Sequence, residues 1–201
     1  MLKAVSMLRL VFFLVVFQAS ASFIYSQTTH KQRGVAFSYY DQKIGDTDLD
    51  KDYLYRSMAL VIAQNQRLFS FPIVSLSADF QTQLGVTSIA EERNSEFLTR
   101  GIELALLLGL NVELSIVPKV WWLYFGGSIG PQFISNAPMR QNNGFIFSDS
   151  VFVGSRFGFS QNKQLDIKAG FRHQSNAGFS RPNGGLDSIF LSVGLFSKLK
   201  S

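Results

Sequence analysis

The chain has 201 residues and no cysteine, so neither a disulfide framework nor thiol catalysis is open to it, and a covalent nucleophile must be Ser, Thr or a carboxylate. Nineteen Lys and Arg against 14 Asp and Glu give a formal net charge of +5. This falls to +3 (17 minus 14) without Lys3 and Arg9 of the leader described below, too mild a balance to argue for nucleic acid. The only histidines, His30 and His173, stand far apart and no cluster has zinc-site spacing, while 20 Phe, 6 Tyr and 2 Trp are a heavy aromatic load for one domain, as membrane-interface girdles require.

Residues 1–26 read as a secretory leader. Lys3 and Arg9 precede an apolar run from Leu10 to Phe17, and Ala19-Ser20-Ala21 offers cleavage after residue 21, with Ser26 as a second position. The run is far shorter than the roughly 20 residues a spanning helix needs. Residues 27–201 are then expected to form a single domain. In its polar lead, His30 is expected to be solvated. Val35, Phe37 and Tyr39 alternate with Ala36 and Ser38 as a first strand. The acidic stretch after it places Asp46, Asp48, Asp50 and Asp52 at every second position, but without the Gly and terminal Glu of an EF-hand, so a solvated loop is expected rather than a calcium site.

Tyr53 to Gln64 is expected to be a second strand, with alternation so poor that a helix competes. Val74, Leu76, Ala78, Phe80 and Leu84 oppose Ser75, Ser77, Asp79, Gln81 and Gln83 in a half-polar third strand, and GVTSIAEERNSE reads as a long polar loop. From Gly101 to Ile116 the even positions are aliphatic and the odd ones carry Glu103, Asn111 and Glu113. Helical spacing would scatter those three among leucines, so a fourth strand is expected. A fifth strand carries Trp121, Leu123, Phe125 and Ile129 on one face. After the loop SNAPMRQNNG, a sixth carries Val151, Val153, Phe157 and Phe159.

The last 40 residues hold the densest signal. Leu165, Ile167, Ala169 and Phe171 share a face that continues into His173 and Ser175, while Asp166, Lys168, Arg172 and Gln174 take the other. NAGFSRPNGG is a turn-rich connection. Beyond it, Ile189, Leu191, Val193 and Leu195 share parity with Asp187. A hairpin would bring 173–175 beside 187–189, with cross-strand neighbours roughly 5 Å apart. A His beside a Ser is ordinarily a structural polar pair. Three polar groups on an apolar stripe, however, cost several kcal/mol unless they are paired with one another or used.

The run Phe171-Arg172-His173-Gln174-Ser175-Asn176-Ala177-Gly178, followed by Pro182-Asn183-Gly184-Gly185-Leu186-Asp187-Ser188, resembles the lipid A 3-O-deacylase (PagL) family of outer-membrane acyl hydrolases. The H-x-S-N-A-G run, the P-N-x-G turn and an acid 14 positions after the His (187 minus 173) carry the resemblance, which covers about 30 residues. It implies Ser175 as nucleophile, His173 as base and Asp187 as the orienting carboxylate, on the lipid-facing outside of an eight-stranded antiparallel outer-membrane β-barrel. It also implies Asn176 and the Gly178 N–H as oxyanion donors. Asp187 departs from the family's usual Glu and is a methylene shorter.

Eight strands are counted in all. Connections after strands 1, 3, 5 and 7 are long and the others short, the alternation an outer-membrane barrel shows. A lipocalin-like barrel with apolar residues inside would give the same parity. The set opposite the apolar face includes Asp79, Glu103, Glu113, Arg156, Asp166, Lys168 and Arg172, of both signs, and a salt-bridged plug is expected rather than a pore. The terminal SKLKS lacks the aromatic end usual in such barrels. The expectation is a serine esterase of the cell outer membrane acting on an acyl ester of lipid A or lipopolysaccharide, without cofactor or metal. Arg181 is a candidate for a lipid A phosphate, set against a merely solvated role. A non-catalytic barrel (structural, adhesin or inactive relative) and acyl transfer between lipids are the competing readings, and the oligomeric state, a homodimer included, is left open.

Overall fold

The computed structural model describes residues 31–44, 47–93, 95 and 98–199. The leader with its cleavage positions, His30 and Asp46 lie outside the described residues. Eight antiparallel strands close into one barrel: β1 (Lys31–Asp41), β2 (Leu54–Ser70), β3 (Val74–Ala90), β4 (Thr99–Val117), β5 (Trp121–Ile134), β6 (Gly144–Gly158), β7 (Lys163–Ser175) and β8 (Leu186–Lys198). Each pairs with its sequence neighbours. β1 closes the ring on β8, with Gln32 opposite Lys198 and Tyr40 opposite Phe190.

The period-two pattern is the cause of the closed sheet. Val35, Leu60, Leu106, Phe125 and Val153 stand exposed on the outside, as do their apolar neighbours along every strand. Ser38, Asn65, Asp79, Glu103, Asn111 and Arg172 are buried in the lumen. That disposition decides between the two barrels the parity left open: a continuous apolar exterior is a surface for lipid, and closure leaves no backbone edge unsatisfied within it.

The lumen is filled. Arg156 donates from Nε to Asp166 and from Nη1 to Glu113, both at 3.0 Å, and Arg172 Nη1 reaches Glu103 at 3.1 Å. Glu103 also accepts from Tyr55, Ser57 and Gln132. Tyr40, Tyr124, Phe152 and Phe190 form an aromatic layer, in which Phe152 and Phe190 flank Gly170, between Arg172 and Asp166 along β7.

Tyr53–Gln64 forms the expected strand rather than the competing helix, beginning at Leu54 and running on to Ser70. Its alternation is poor because Ala59, Val61 and Ala63 face inward, the last two into an apolar layer with Ala36 and Phe196, while Met58, Leu60 and Ile62 face lipid. One expectation needs correction: the segment expected as a loop from Gly85 is strand as far as Ala90, since Thr87 turns inward and Val86 outward in continuous register with β2. The long connections L1 (42–53), L2 (91–98), L3 (135–143) and L4 (176–185) gather at one end of the barrel. The short turns 71–73, 118–120 and 159–162 lie at the other, with both strand termini.

Candidate functional site

β7 and β8 pair with His173 opposite Asp187 and Gln174 opposite Leu186. Because side chains alternate, Gln174 and Leu186 are buried toward the lumen while His173, Ser175 and Asp187 point outward, only partly covered. The imidazole Nδ1 lies 2.7 Å from Asp187 Oδ1. A carboxylate accepts, so Nδ1 carries the proton and Nε2 is left as the free base. Ser175 follows on the same face, one strand repeat of about 6.6 Å farther along. Its hydroxyl has no hydrogen-bond partner among the described residues, so the structure joins His173 to Asp187 and leaves Ser175 as their neighbour on the same face.

The other carboxylate oxygen is held as firmly. Lys51, in L1, places Nζ 2.7 Å from Asp187 Oδ2, and two residues on, Tyr53 Oη accepts the Asp187 N–H at 2.9 Å. Tyr53 is buried with Tyr55, Ile89, Ile134, Ile146 and Leu186, and the Arg140 guanidinium lies 4.8 Å over its ring. The hydrogen bond that Lys51 donates to the Asp187 carboxylate raises the ammonium above its ordinary pKa.

L4 is ordered by its own polar groups and by L3. Asn183 Oδ1 accepts the Asn176 N–H at 2.9 Å, Gly184 N–H donates to Arg140 O at 2.7 Å while the Arg140 guanidinium donates to Gly184 O, and Asn142 N–H donates to Pro182 O at 3.0 Å. Ala177 and Gly178 both turn through positive φ, +52° and +79°. Gly185, with φ +69°, leaves room for the base, since a Cβ there would stand 2.7 Å from His173 Cε1.

The two oxyanion candidates are engaged within L4. Asn176 Nδ2 donates to Ser180 O at 2.9 Å, with Ser180 Oγ and Pro182 O also within reach, and Gly178 N–H donates to Asn176 Oδ1 at 3.0 Å. Arg181 stands exposed in the same loop. Two of the L1 acids are tied to cations: Arg93 lies 2.7 Å from Asp48, and Arg140 lies 3.8 Å from Asp52. Among the described residues no group of three or more His, Cys, Asp or Glu could hold a metal ion.

Sequence reasoning brought together Ser175, His173 and Asp187 but missed several neighbours. Lys51 and Tyr53 are more than a hundred residues away in sequence, and only the ring closure carries L1 beside β8. Asp149 pairs opposite His173 from the β6 side, and Phe147 opposite Ser175. Asp149 shares outward parity with Val151 and Val153, so the same polar-on-apolar signal that singled out His173 was present there. Phe147 packs with Phe145 and Phe179, with ring centroids 5.2 and 6.0 Å apart, giving an apolar wall beside the hydroxyl.

The lipid A 3-O-deacylase (PagL) family model matches residues 73–196, more than half of the chain and a range that includes positions 173, 175 and 187. No curated protein matches. Among solved structures the chain is similar to the outer membrane enzyme PagL (18% identity, TM-score 0.48, covering 85% of this chain and 99% of that one). It is also similar to Neisserial surface protein A (12%, 0.48, 85% and 96%) and to Ail, the attachment invasion locus protein of Yersinia pestis (14%, 0.45, 86% and 100%).

Proposed function

The chain belongs to the lipid A 3-O-deacylase (PagL) family of the outer membrane, and from that premise we propose that it is a serine esterase that hydrolyses an acyl ester of lipid A, the 3-O-linked one, through Ser175, His173 and Asp187. The observation that carries the reading is the outward-facing His173–Asp187 pair, 2.7 Å apart, with an uncommitted hydroxyl two residues on. A base on the outside of a lipid-exposed barrel, at the loop end, meets a substrate that diffuses laterally in the outer leaflet and never has to leave it.

His173 Nε2 takes the proton of Ser175 Oγ as the oxygen attacks the acyl carbonyl. Asp187 holds the tautomer and stabilises the imidazolium. Collapse of the tetrahedral adduct breaks the bond to the glucosamine oxygen, which leaves with the proton from Nε2. Water, deprotonated by the same nitrogen, then releases the fatty acid and restores Ser175. Asn176 Nδ2 and Gly178 N–H serve the oxyanion by exchanging their L4 acceptors for it as substrate enters; each such donor is worth about 3 kcal/mol. Arg181 stands where an anionic headgroup would reach L4, and Phe145, Phe147 and Phe179 give the acyl chain an apolar wall.

The test is release of a free fatty acid from purified lipid A by the refolded protein. Ser175→Ala and His173→Ala are each expected to abolish release while the barrel still folds. Release by Ser175→Ala at the wild-type rate refutes the reading.

A further inference from the structure

We infer that Lys51 is a positioning residue of this site: it holds the free oxygen of the Asp187 carboxylate so that the other oxygen stays on the His173 imidazole, and through it L1 becomes part of the hydrolytic machinery. The inference rests on the esterase reading for its rate consequences, but not for its geometry.

Three observations carry it. Lys51 Nζ and His173 Nδ1 each stand 2.7 Å from a different oxygen of one carboxylate, so the plane of Asp187 is set by two donors on opposite sides. The segment bearing Lys51 is fixed to β8 independently of that ion pair. Tyr53 Oη takes the Asp187 backbone N–H, Tyr53 is 2% exposed in an apolar cluster that includes Leu186, and Asp52 O accepts the Arg93 N–H at 2.7 Å. Lys51 therefore arrives at the carboxylate from a clamped backbone rather than from a free loop. Finally, Asp187 has one torsion fewer than a Glu and the shorter reach. In cross-strand register with His173 it can meet the imidazole only in a narrow range of carboxylate angles, and the ammonium defines that range.

The contact is partly open to water, with side-chain exposures of 29% for Lys51 and 20% for Asp187, so its share is that of a screened charge-assisted bond. Lys51→Met is expected to lower kcat about ten-fold on purified lipid A in detergent micelles, leaving KM within about two-fold, because the change touches orientation and not substrate binding. Lys51→Arg, which keeps a donor and a charge, is expected to recover most of the loss.

A second readout needs no activity. The Nδ1 proton of His173, assigned in a His30→Ala background, gives a downfield NMR resonance when held by Asp187. In Lys51→Met it is expected to move upfield and exchange faster with water, and in Lys51→Arg to stay. Equal KM and kcat losses would make Lys51 a substrate contact, and an unchanged resonance with unchanged kcat would make it a bystander; either overturns the inference. If Ser175→Ala retains full activity the esterase reading fails by itself, and the resonance still decides the role of Lys51.

Discussion

Replacing Asp187 by asparagine tests the hydrogen-bond logic of the site in a way specific to this chain. The isosteric Asp187→Asn keeps the volume but exchanges one oxygen for an NH2 group, and Lys51 decides which end faces which partner. An ammonium offers only donors, so the amide oxygen turns to Lys51 Nζ, 2.7 Å from the original Oδ2, and the NH2 turns to His173. Presented with a donor, Nδ1 must accept, and the imidazole proton moves to Nε2, the atom that should abstract the Ser175 proton. A base held wholly in the wrong tautomer loses about 10⁴ in kcat, so turnover in Asp187→Asn comes from the minority of molecules whose amide is turned over. Turning the amide over would surrender a charge-assisted bond worth about 1.5–3 kcal/mol, so the wrong orientation is favoured by roughly ten-fold or more. Lys51→Met removes that bias. The double variant Asp187→Asn/Lys51→Met is therefore expected to be about ten-fold faster than Asp187→Asn alone, although Lys51→Met slows the wild type. Fatty-acid release from lipid A, measured for all four proteins under single-turnover conditions, reads this reversal. A double variant slower than Asp187→Asn by the factor Lys51→Met costs by itself would refute the reasoning.

Other perturbations probe the site and its frame. In Gly185→Ala the new methyl meets His173 Cε1 and the backbone is strained at φ +69°; release is expected to fall at least ten-fold while far-ultraviolet circular dichroism stays that of the barrel. Glu103→Leu leaves the Arg172 guanidinium buried without its 3.1 Å partner and is expected to destabilise the barrel by about 3–5 kcal/mol, read from urea unfolding in micelles. Replacing Arg172 by Leu as well should restore most of that loss, because the pair, and not either charge, is what the lumen accommodates.

Period-two alternation made most of the fold legible in the sequence. The strand carrying Glu103, Asn111 and Glu113 among leucines was legible as two-faced, although parity left open which face met lipid, and of the charges expected to plug the lumen Glu103, Glu113 and Asp166 pair there with Arg156 and Arg172. Alternation failed where both faces are apolar, in β2, because Val61 and Ala63 line an apolar lumen layer that no single strand reveals. It also misplaced the end of β3, where polar Thr87 and Ser88 looked like loop but are strand residues in register with β2. The candidate site stood out for a related reason: His173, Ser175 and Asp187 interrupt an otherwise greasy stripe, and the structure brings the first and last of them into contact. Lys51 was not, because its partner is reached only through ring closure. Nor was the engagement of Asn176 within L4, because the hydrogen bonds of a loop depend on how it folds back on itself and not on which residues it contains.

Mass spectrometry of lipid A from Gram-negative cells expressing the wild-type protein or Ser175→Ala at matched levels in the outer membrane tests the central claim most directly. The wild type should remove the mass of one ester-linked hydroxyacyl chain from lipid A, and Ser175→Ala should leave lipid A at full mass. The same loss in both strains, or in neither, would contradict the account.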